Sequence, residues 1–152
     1  MATMLYAGLR CAEATGRRPR DVDLKGYLLH VRGKGDKDRV VPIDLALEPL
    51  LLEWRRIRPP GPRFFTTLDG GELEGRHVRR MVKRRAKKAG IETDVHPHLL
   101  RHTCATVWLN ERKLSLREVQ ALLGHSRIAT TERYLHASLP EIVAKLRAAM
   151  SE

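Results

Sequence analysis

Three short β-like segments near the start of the chain constrain its fold most. They cover residues 21–24, 27–31 and 39–43, and turn-forming stretches at residues 25–26 and 33–38 separate them. Short runs broken by glycine and charged residues predict a three-stranded antiparallel meander. Helical patterns lie on both sides of this meander. The sequence therefore predicts an α+β domain that is mostly helical and contains a small three-stranded antiparallel sheet.

Helices are predicted before and after the sheet. The first covers residues 1–14 and ends at the glycine- and proline-containing stretch 16–19. Asp44 is expected to cap a helix that runs to about Arg58. Gly124 is a predicted C-cap for the helix before it. The later predicted helices cover residues 75–89, 97–111, 115–123, 129–136 and 139–150.

The net charge of the chain indicates which class of binding partner to expect. With 152 residues the chain is long enough for one domain with a sizeable core. It has 29 basic and 18 acidic residues, a formal net charge of +11. This excess runs along the whole chain and is expected of a nucleic-acid binder. Charge alone leaves another interpretation open, in which an arginine-rich composition reflects a GC-rich genome and a solvated surface.

The two cysteines and the hydropathy pattern bear on location. Cys11 and Cys104 lie in apolar helical contexts without CxxC spacing, which predicts buried free thiols in a reducing cytoplasm. No apolar run approaches the roughly 18 residues that a bilayer span needs. The N-terminus also lacks the pattern of a secretory signal. We therefore expect a cytoplasmic protein without membrane contact.

The last third of the chain contains residue types suited to phosphate chemistry. Arg101 lies between His98 and His125, and Tyr134 follows. Arginine donates paired hydrogen bonds to phosphate, and histidine exchanges protons near neutral pH. A tyrosine hydroxyl can attack phosphorus, but only about one phenol in a thousand is ionised at pH 7, so cationic neighbours must assist it. Each residue alone has a structural alternative, His98 as a helix cap and Tyr134 as a packed aromatic.

Five motifs in order resemble the catalytic domain of the tyrosine recombinase (phage integrase) family. They are GLRCAE at 8–13 with RDVDL at 20–24, VRGKGDKDR at 31–39, HLLRHT at 98–103, LLGHS at 122–126 and TTERY at 130–134. One such motif occurs by chance in many chains, whereas five in the right order are specific. The resemblance covers nearly the whole chain and implies the DNA breaking-rejoining enzyme fold.

The resemblance implies a covalent reaction at a DNA phosphate. Tyr134 would attack the phosphorus, form a 3′-phosphotyrosine and release a 5′-hydroxyl, with no metal or other cofactor. Arg10 and Arg101 would clamp the non-bridging oxygens and stabilise the developing charge, and His125 would donate a further hydrogen bond.

The remaining implied catalytic residues handle protons. Lys34 would protonate the leaving 5′-oxygen, and His98 would assist proton transfer at the tyrosine. Glu13 is placed to hold the Arg10 region in shape. His96, His98 and His102 also suggest a metal site, but His96 lies outside the predicted helix and no nearby carboxylate or thiolate completes a tetrahedral set.

Basic residues outside the reacting group are expected to hold the DNA backbone. Those on the predicted helix 75–89 form one charged face, and others follow Lys34 on the hairpin. The alternative for this helix is a charged face that is only solvated and binds nothing. The predicted DNA-binding residues are Lys37, Arg39, Arg79, Arg80, Lys83, Arg84 and Lys87.

The resemblance also bears on domains and partners. It places residues 1–152 in the catalytic domain, without the N-terminal core-binding domain and the first part of the catalytic domain. Arg17 and Pro19 stand at positions that are typically apolar or aromatic, so looser packing beneath Arg10 is expected. The expected partner is double-stranded DNA in a prokaryotic nucleoid or with phage DNA, and the amphipathic helix 139–150 docks in cis or on a neighbour in a homotetramer.

Three functions follow as alternatives. The first is a site-specific recombinase or integrase domain, that is, a tyrosine-type DNA strand transferase. The second is a non-catalytic DNA-binding remnant of the family. The third is a type IB topoisomerase-like activity, which the short hairpin and small size disfavour.

Overall fold

The computed structural model describes residues 1–33, 38–124, 142–144 and 146. Two short helices open the chain, and a 3-10 turn at Pro19–Asp21 leads into the sheet. The helices are α1 (Ala2–Tyr6), α2 (Cys11–Thr15), α3 (Glu48–Ile57), α4 (Gly75–Lys88), α5 (Pro97–Asn110) and α6 (Leu116–Leu123). The strands are β1 (Val22–Asp23), β2 (Leu28–Arg32) and β3 (Asp38–Pro42).

The predicted antiparallel meander is confirmed. The strand order is β1-β2-β3 and both pairings are antiparallel. In the register of β2 and β3, Leu29 faces Val41 and Val31 faces Arg39. These four side chains are all buried. Since alternate residues of a strand share a face, they form the inner face of the sheet.

The single helix predicted over residues 1–14 is wrong. The chain instead breaks between α1 and α2, where Gly8 adopts φ +59. A Cβ at Gly8 would lie 2.7 Å from Cδ2 of Leu123, so a larger residue does not fit. Glycine alone adopts this backbone conformation without strain. The break puts Arg10 at the N-cap of α2 rather than inside a longer helix.

Asp44 does not cap α3 as the sequence suggested. Its Oδ1 accepts a hydrogen bond from the Ala46 amide at 2.8 Å, in the turn before the helix. The N-cap position belongs to Leu47, which makes no side-chain capping bond. Asp44 is buried and lies 3.7 Å from Nη2 of Arg112. It thus ties the turn to the segment after α5.

The later helices agree with the sequence to within a residue or two. Ser115 caps α6, since its hydroxyl accepts from the Glu118 amide and the Glu118 carboxylate accepts from the Ser115 amide. This reciprocal pair is a capping box. Gly124 ends α6 in the left-handed region at φ 68, which confirms the predicted C-cap. Residues 129–136 lie outside the described residues.

The core forms between α1, α5 and α6 on one side and the inner face of the sheet on the other. Its largest fully buried side chains include Trp108, Phe64, Met4 and Leu122. Ile142 and Leu146 belong to the same core and are 0 % and 1 % exposed. At these two positions the C-terminal amphipathic stripe packs within its own chain.

Candidate active site

Arg10 sits where the break after α1 leads into α2. Its backbone amide donates to Oε2 of Glu13 at 2.7 Å, and its Nη1 donates to Oε1 at 2.9 Å. Arg10 and Glu13 thereby form a capping box at the start of α2. The Arg10 side chain keeps 42 % of its surface exposed. A guanidinium that is anchored through one terminal nitrogen and remains partly exposed can meet an anion from solvent.

Arg101 reaches the same place from the second turn of α5. Its Nη2 donates to the Leu123 carbonyl at 2.7 Å, and its Nη1 donates to the carbonyl of Gly8. Nη1 also lies 3.8 Å from Oε2 of Glu13. The side chain is only 9 % exposed. Arg101 therefore joins the α1–α2 break to the end of α6 and places its charge beneath Arg10.

The structure thus brings two of the predicted site arginines together around Glu13. Burial acts to raise the pKa of the Glu13 carboxyl, but hydrogen bonds and charge from Arg39, with bonds from Arg10, outweigh it and hold the pKa at about 2. Glu13 is therefore a carboxylate at every pH near neutrality. Burial, with the charge of Arg10 adding to it, lowers the pKa of Arg101 to about 10, so Arg101 stays protonated at neutral pH.

Arg39 was predicted to bind DNA, and the structure corrects this. The residue is 9 % exposed and lies on the inner face of the sheet. Its Nη1 and Nη2 donate to the two carboxylate oxygens of Glu13, both at 2.9 Å, and its Nε donates to the Leu122 carbonyl at 2.8 Å. Burial and these partners remove its guanidinium from a DNA-facing surface.

A signal for this burial was present in the sequence. Arg39 and Val41 are two residues apart on one strand, so they must point to the same face. Because Val41 belongs to the apolar set of the predicted sheet, Arg39 had to face inward as well. We name Arg10, Arg39, Arg101 and Glu13 the arginine cluster. It holds three guanidinium groups against one carboxylate, so it keeps an excess of two positive charges.

Arg17 was expected to loosen the packing beneath Arg10, and this expectation is wrong. It is 4 % exposed, and its Nε donates to the Glu13 carbonyl at 2.8 Å. Its Nη1 donates to the carbonyl of His30. Arg17 therefore ties the end of α2 to strand β2 and steadies the helix that carries Glu13.

His98 is exposed near the start of α5. The helix cap that we considered for it belongs instead to His96, whose Nδ1 accepts from the Leu99 amide at 3.2 Å. The capping alternative for His98 is therefore wrong. Within the described residues, no group of three histidine, cysteine, aspartate or glutamate side chains is arranged to hold a metal ion.

Four predicted site residues have no structural description. Lys34, Lys37, His125 and Tyr134 lie outside the described residues. For Lys34, Lys37 and His125, one neighbour along the chain is described. Gly124 directly precedes His125 and contacts Arg39, since a Cβ there would lie 3.0 Å from its Cδ and Nη1.

Helix α4 carries the predicted basic face. Its inner side is formed by Val78, Val82 and Ala86, which are buried at a spacing of four. All five basic residues predicted on this helix are exposed, and Lys83 pairs with Asp94 at 3.0 Å. Three more basic residues of α4 are also exposed, namely Arg76, Arg85 and Lys88.

The N-terminal turns of α4 lie close to the arginine cluster. A Cβ at Gly75 would lie 3.7 Å from Sγ of Cys11, the residue after Arg10. Burial raises the pKa of the Cys11 thiol, and the charge of Arg79 acts in the opposite direction. The basic face of α4 therefore begins beside the helix that carries Arg10.

Comparison with known protein families shows the class to which this chain belongs. The sequence model described as the Phage integrase family matches residues 1–140. The chain therefore belongs to the phage integrase, or tyrosine recombinase, family.

No helix in the described part of the chain is long and apolar enough to cross a membrane.

The relatives place the chain within this family. It is 39 % identical over 140 residues to tyrosine recombinase XerC of Actinobacillus pleuropneumoniae, covering 90 % of this chain and 45 % of the relative. It is 43 % identical over 132 residues to XerC of Xanthomonas axonopodis, covering 86 % of this chain and 43 % of the relative. The chain spans a little under half the length of these curated relatives.

Solved structures share the fold. The crystal structure of XerA recombinase has a TM-score of 0.75 and 34 % identity, covering 96 % of this chain and 56 % of that one. XerH recombinase bound to its difH substrate before cleavage has a TM-score of 0.69 and 30 % identity, covering 92 % and 42 %. These likenesses confirm the predicted fold of a recombinase catalytic domain with a small three-stranded sheet.

Proposed function

We propose that this chain is the catalytic domain of a site-specific recombinase that cleaves and rejoins DNA through a 3′-phosphotyrosine at Tyr134. The observation that carries the proposal is the arginine cluster, in which α2 and α5 bring Arg10 and Arg101 to one carboxylate. A phosphodiester, whose single negative charge is shared by two non-bridging oxygens, suits such a site, and the additional negative charge that develops on a five-coordinate phosphorus suits it better.

The two arginines have different tasks in this proposal. Arg10 is 42 % exposed and is the group that contacts the phosphate oxygens directly. Arg101 donates to two backbone carbonyls and is nearly buried, so it contributes positive potential from below the phosphate. In a site with little water such a fixed charge counts for more than it does in bulk solvent. No cofactor is required, because the phosphotyrosine ester retains the bond energy for rejoining.

The proton-transfer roles rest on the family resemblance. Lys34 donates a proton to the leaving 5′-oxygen, His98 assists at the tyrosine, and His125 donates a hydrogen bond to the phosphate. The exposed position of His98 on the first turn of α5 leaves it accessible to a bound substrate. Tyr134 supplies the attacking oxygen, and its P–O bond forms as the bond to the 5′-oxygen breaks.

Double-stranded DNA is the proposed partner, held across the exposed basic face of α4. This face starts next to α2, so a duplex that presents a phosphate to Arg10 passes along it. Residues Arg79, Arg80, Lys83, Arg84 and Lys87 of α4, with Lys37 of the hairpin, would contact the backbone. Neutralising phosphates in this way gives affinity without sequence choice.

The wider assembly is also a proposal. We place the reaction in the cytoplasm, with residues 1–152 acting as the catalytic domain and a separate core-binding domain closing around the duplex. Four copies would assemble on DNA through the C-terminal helix. Because Ile142 and Leu146 are buried in their own chain, any exchange of this helix must first release them. Removing the residues after Ser138 should then lower the number of copies per DNA complex in analytical ultracentrifugation.

The test is trapping of a covalent complex on a nicked duplex whose cleavage releases a short fragment. Wild-type chain should form an adduct with DNA that survives denaturing electrophoresis, and Tyr134→Phe should form none. Tyr6→Phe is the matched control and should react like wild type. If wild type binds the duplex with a steep salt dependence but never forms the adduct, the chain is a non-catalytic module. Relaxation of supercoiled plasmid without strand exchange would indicate a topoisomerase instead.

A further inference from the structure

The buried guanidinium of Arg39 connects three parts of the molecule. Arg39 lies on β3, five residues after Lys34 in the sequence. Its two terminal nitrogens donate to both oxygens of Glu13 on α2, each at 2.9 Å. Its Nε donates to the Leu122 carbonyl near the end of α6. One side chain therefore bridges the lysine-bearing hairpin, the helix of Arg10 and the segment that leads to His125.

Arg39 packs closely against the end of α6. Gly124 is in the left-handed region at φ 68, and a Cβ on it would lie 3.0 to 3.1 Å from Cδ, Nη1 and Cζ of Arg39. The absence of a side chain at Gly124 thus both permits the helix end and leaves room for the guanidinium. Arg39 therefore packs against the backbone at the end of α6, directly before His125 in the sequence.

The contact with Glu13 reaches Arg10. Glu13 accepts from the Arg10 amide, from Arg10 Nη1 and from both terminal nitrogens of Arg39. A bidentate arginine fixes the plane of a carboxylate in a way that a point charge cannot. Without Arg39, the Glu13 carboxylate is free to rotate. It then no longer fixes the orientation of the Arg10 guanidinium.

We propose that Arg39 is a positioning residue that sets the Arg10 guanidinium and the end of α6 relative to strand β3; in the sequence, α6 leads directly to His125 and β3 follows Lys34. This inference rests on the proposed strand-transfer function. The competing view is that Arg39 only stabilises the fold as a buried ion pair. Arg39→Lys separates the two views, because lysine keeps the charge but lacks the planar pair of donors.

The experiment measures single-turnover adduct formation on the nicked duplex for wild type and Arg39→Lys, each at a temperature where it is fully folded. We expect the rate to fall about 10-fold to 100-fold, as misplacement of a catalytic group does, while duplex affinity stays within about twofold. Arg56→Lys is the matched control. Arg56 also forms a bidentate contact with a carboxylate, donating from Nε and Nη2 to Glu53 at 3.0 and 2.7 Å, but this contact is on the surface of α3. The adduct rate of Arg56→Lys should therefore equal that of wild type.

Chemical rescue of the adduct rate is a second measurement that distinguishes positioning from a purely stabilising role. In Arg39→Ala, millimolar guanidinium ion should enter the vacated space and restore part of the rate, whereas tetramethylammonium should not. An Arg39→Lys rate equal to wild type, or no rescue of a folded Arg39→Ala, would overturn the proposal.

The outcome for Arg39 can be separated from the outcome for the function. If wild type forms no adduct on any duplex, the proposed function fails. Positioning is then judged from the side-chain ¹⁵N–¹H signals of Arg10, assigned by comparison with Arg10→Lys. These signals should be sharp in wild type and in Arg56→Lys and broadened in Arg39→Lys. Unchanged Arg10 signals in Arg39→Lys would overturn the positioning role independently of activity.

Discussion

Replacing Glu13 by glutamine tests how the arginine cluster is held together. The substitution keeps the size of the side chain but removes the only negative charge that the cluster's three arginines share within it. Oε1 and Oε2 of Glu13 together accept from Arg10 and Arg39 at 2.7 to 2.9 Å, and Arg101 lies 3.8 Å away. With glutamine, these guanidinium groups repel one another without compensation around a side chain that, as Glu13, is only 9 % exposed.

The size of the effect follows from the carboxyl's proton affinity. Arg39 and Arg10 hold the pKa of Glu13 at about 2, against 4.5 in the unfolded chain. The folded pKa is the lower one, so the carboxylate stabilises the fold above pH 4.5, and this stabilisation is lost as the pH falls toward 2. The difference corresponds to about 3 kcal/mol at pH 7 and about 1 kcal/mol at pH 3.

Urea unfolding of wild type and Glu13→Gln at both pH values measures this. We expect a loss of about 3 kcal/mol at pH 7, in keeping with the cost of breaking a buried charge pair, and a Tm lower by about 6 to 12 °C. Glu53→Gln removes an exposed carboxylate from a similar arginine contact and should leave unfolding nearly unchanged, because water screens that pair. An equal loss for Glu13→Gln at pH 7 and pH 3 would refute the electrostatic reasoning.

Three further predictions test other parts of the structure. Gly8→Ala should destabilise the domain by about 2 kcal/mol or more in urea, because φ is +59 and the new Cβ would meet a core side chain at 2.7 Å, whereas Gly90→Ala, with nothing within 4 Å, should cost only about 1 kcal/mol. Similar losses for the two would contradict the steric argument. Arg80→Ala should weaken binding to all duplexes alike and reduce the salt slope by about 1 in fluorescence anisotropy, and an unchanged slope would place Arg80 away from phosphate. Cys104 should resist iodoacetamide until urea unfolds the chain, because the thiol is 1 % exposed and burial raises its pKa; labelling of the native protein, detected by mass spectrometry, would contradict this.

Local patterns in the sequence were sufficient to predict the sheet and most helices. The meander follows from three short apolar runs with turn residues between them, and α6 from a serine cap at one end and a glycine at the other. These signals act over a few residues, so they do not depend on the rest of the fold. The Asp44 cap failed because α3 begins later in the chain. Asp44 accepts from the Ala46 amide in the turn before the helix and lies beside Arg112, which is distant in the sequence.

The break between α1 and α2 shows what local patterns miss. Residues 1–14 have helical composition, and a lone glycine is tolerated in a helix at a cost of about 1 kcal/mol. What decides the outcome is the close approach of Leu123 and Trp108 to Gly8, together with the bond from Arg101 to the Gly8 carbonyl. All three partners lie in helices α5 and α6, so only the assembled fold reveals that the chain must turn there.

Arg39 shows which features of a residue follow from strand periodicity and which depend on the packing of the whole fold. The alternation of β3 is enough to place Arg39 on the inner face with Val41, and a buried arginine must then have a carboxylate or several carbonyls as partners. Alternation does not say which ones. Glu13 and the Leu122 carbonyl become its partners only because α2 and α6 meet at the inner face of β3. The packing of α2 and α6 against β3 also brings Arg10 and Arg101 together. The contacts that bury Arg39 and the contacts that form the proposed phosphate site therefore depend on each other, and a substitution in one set should alter the other.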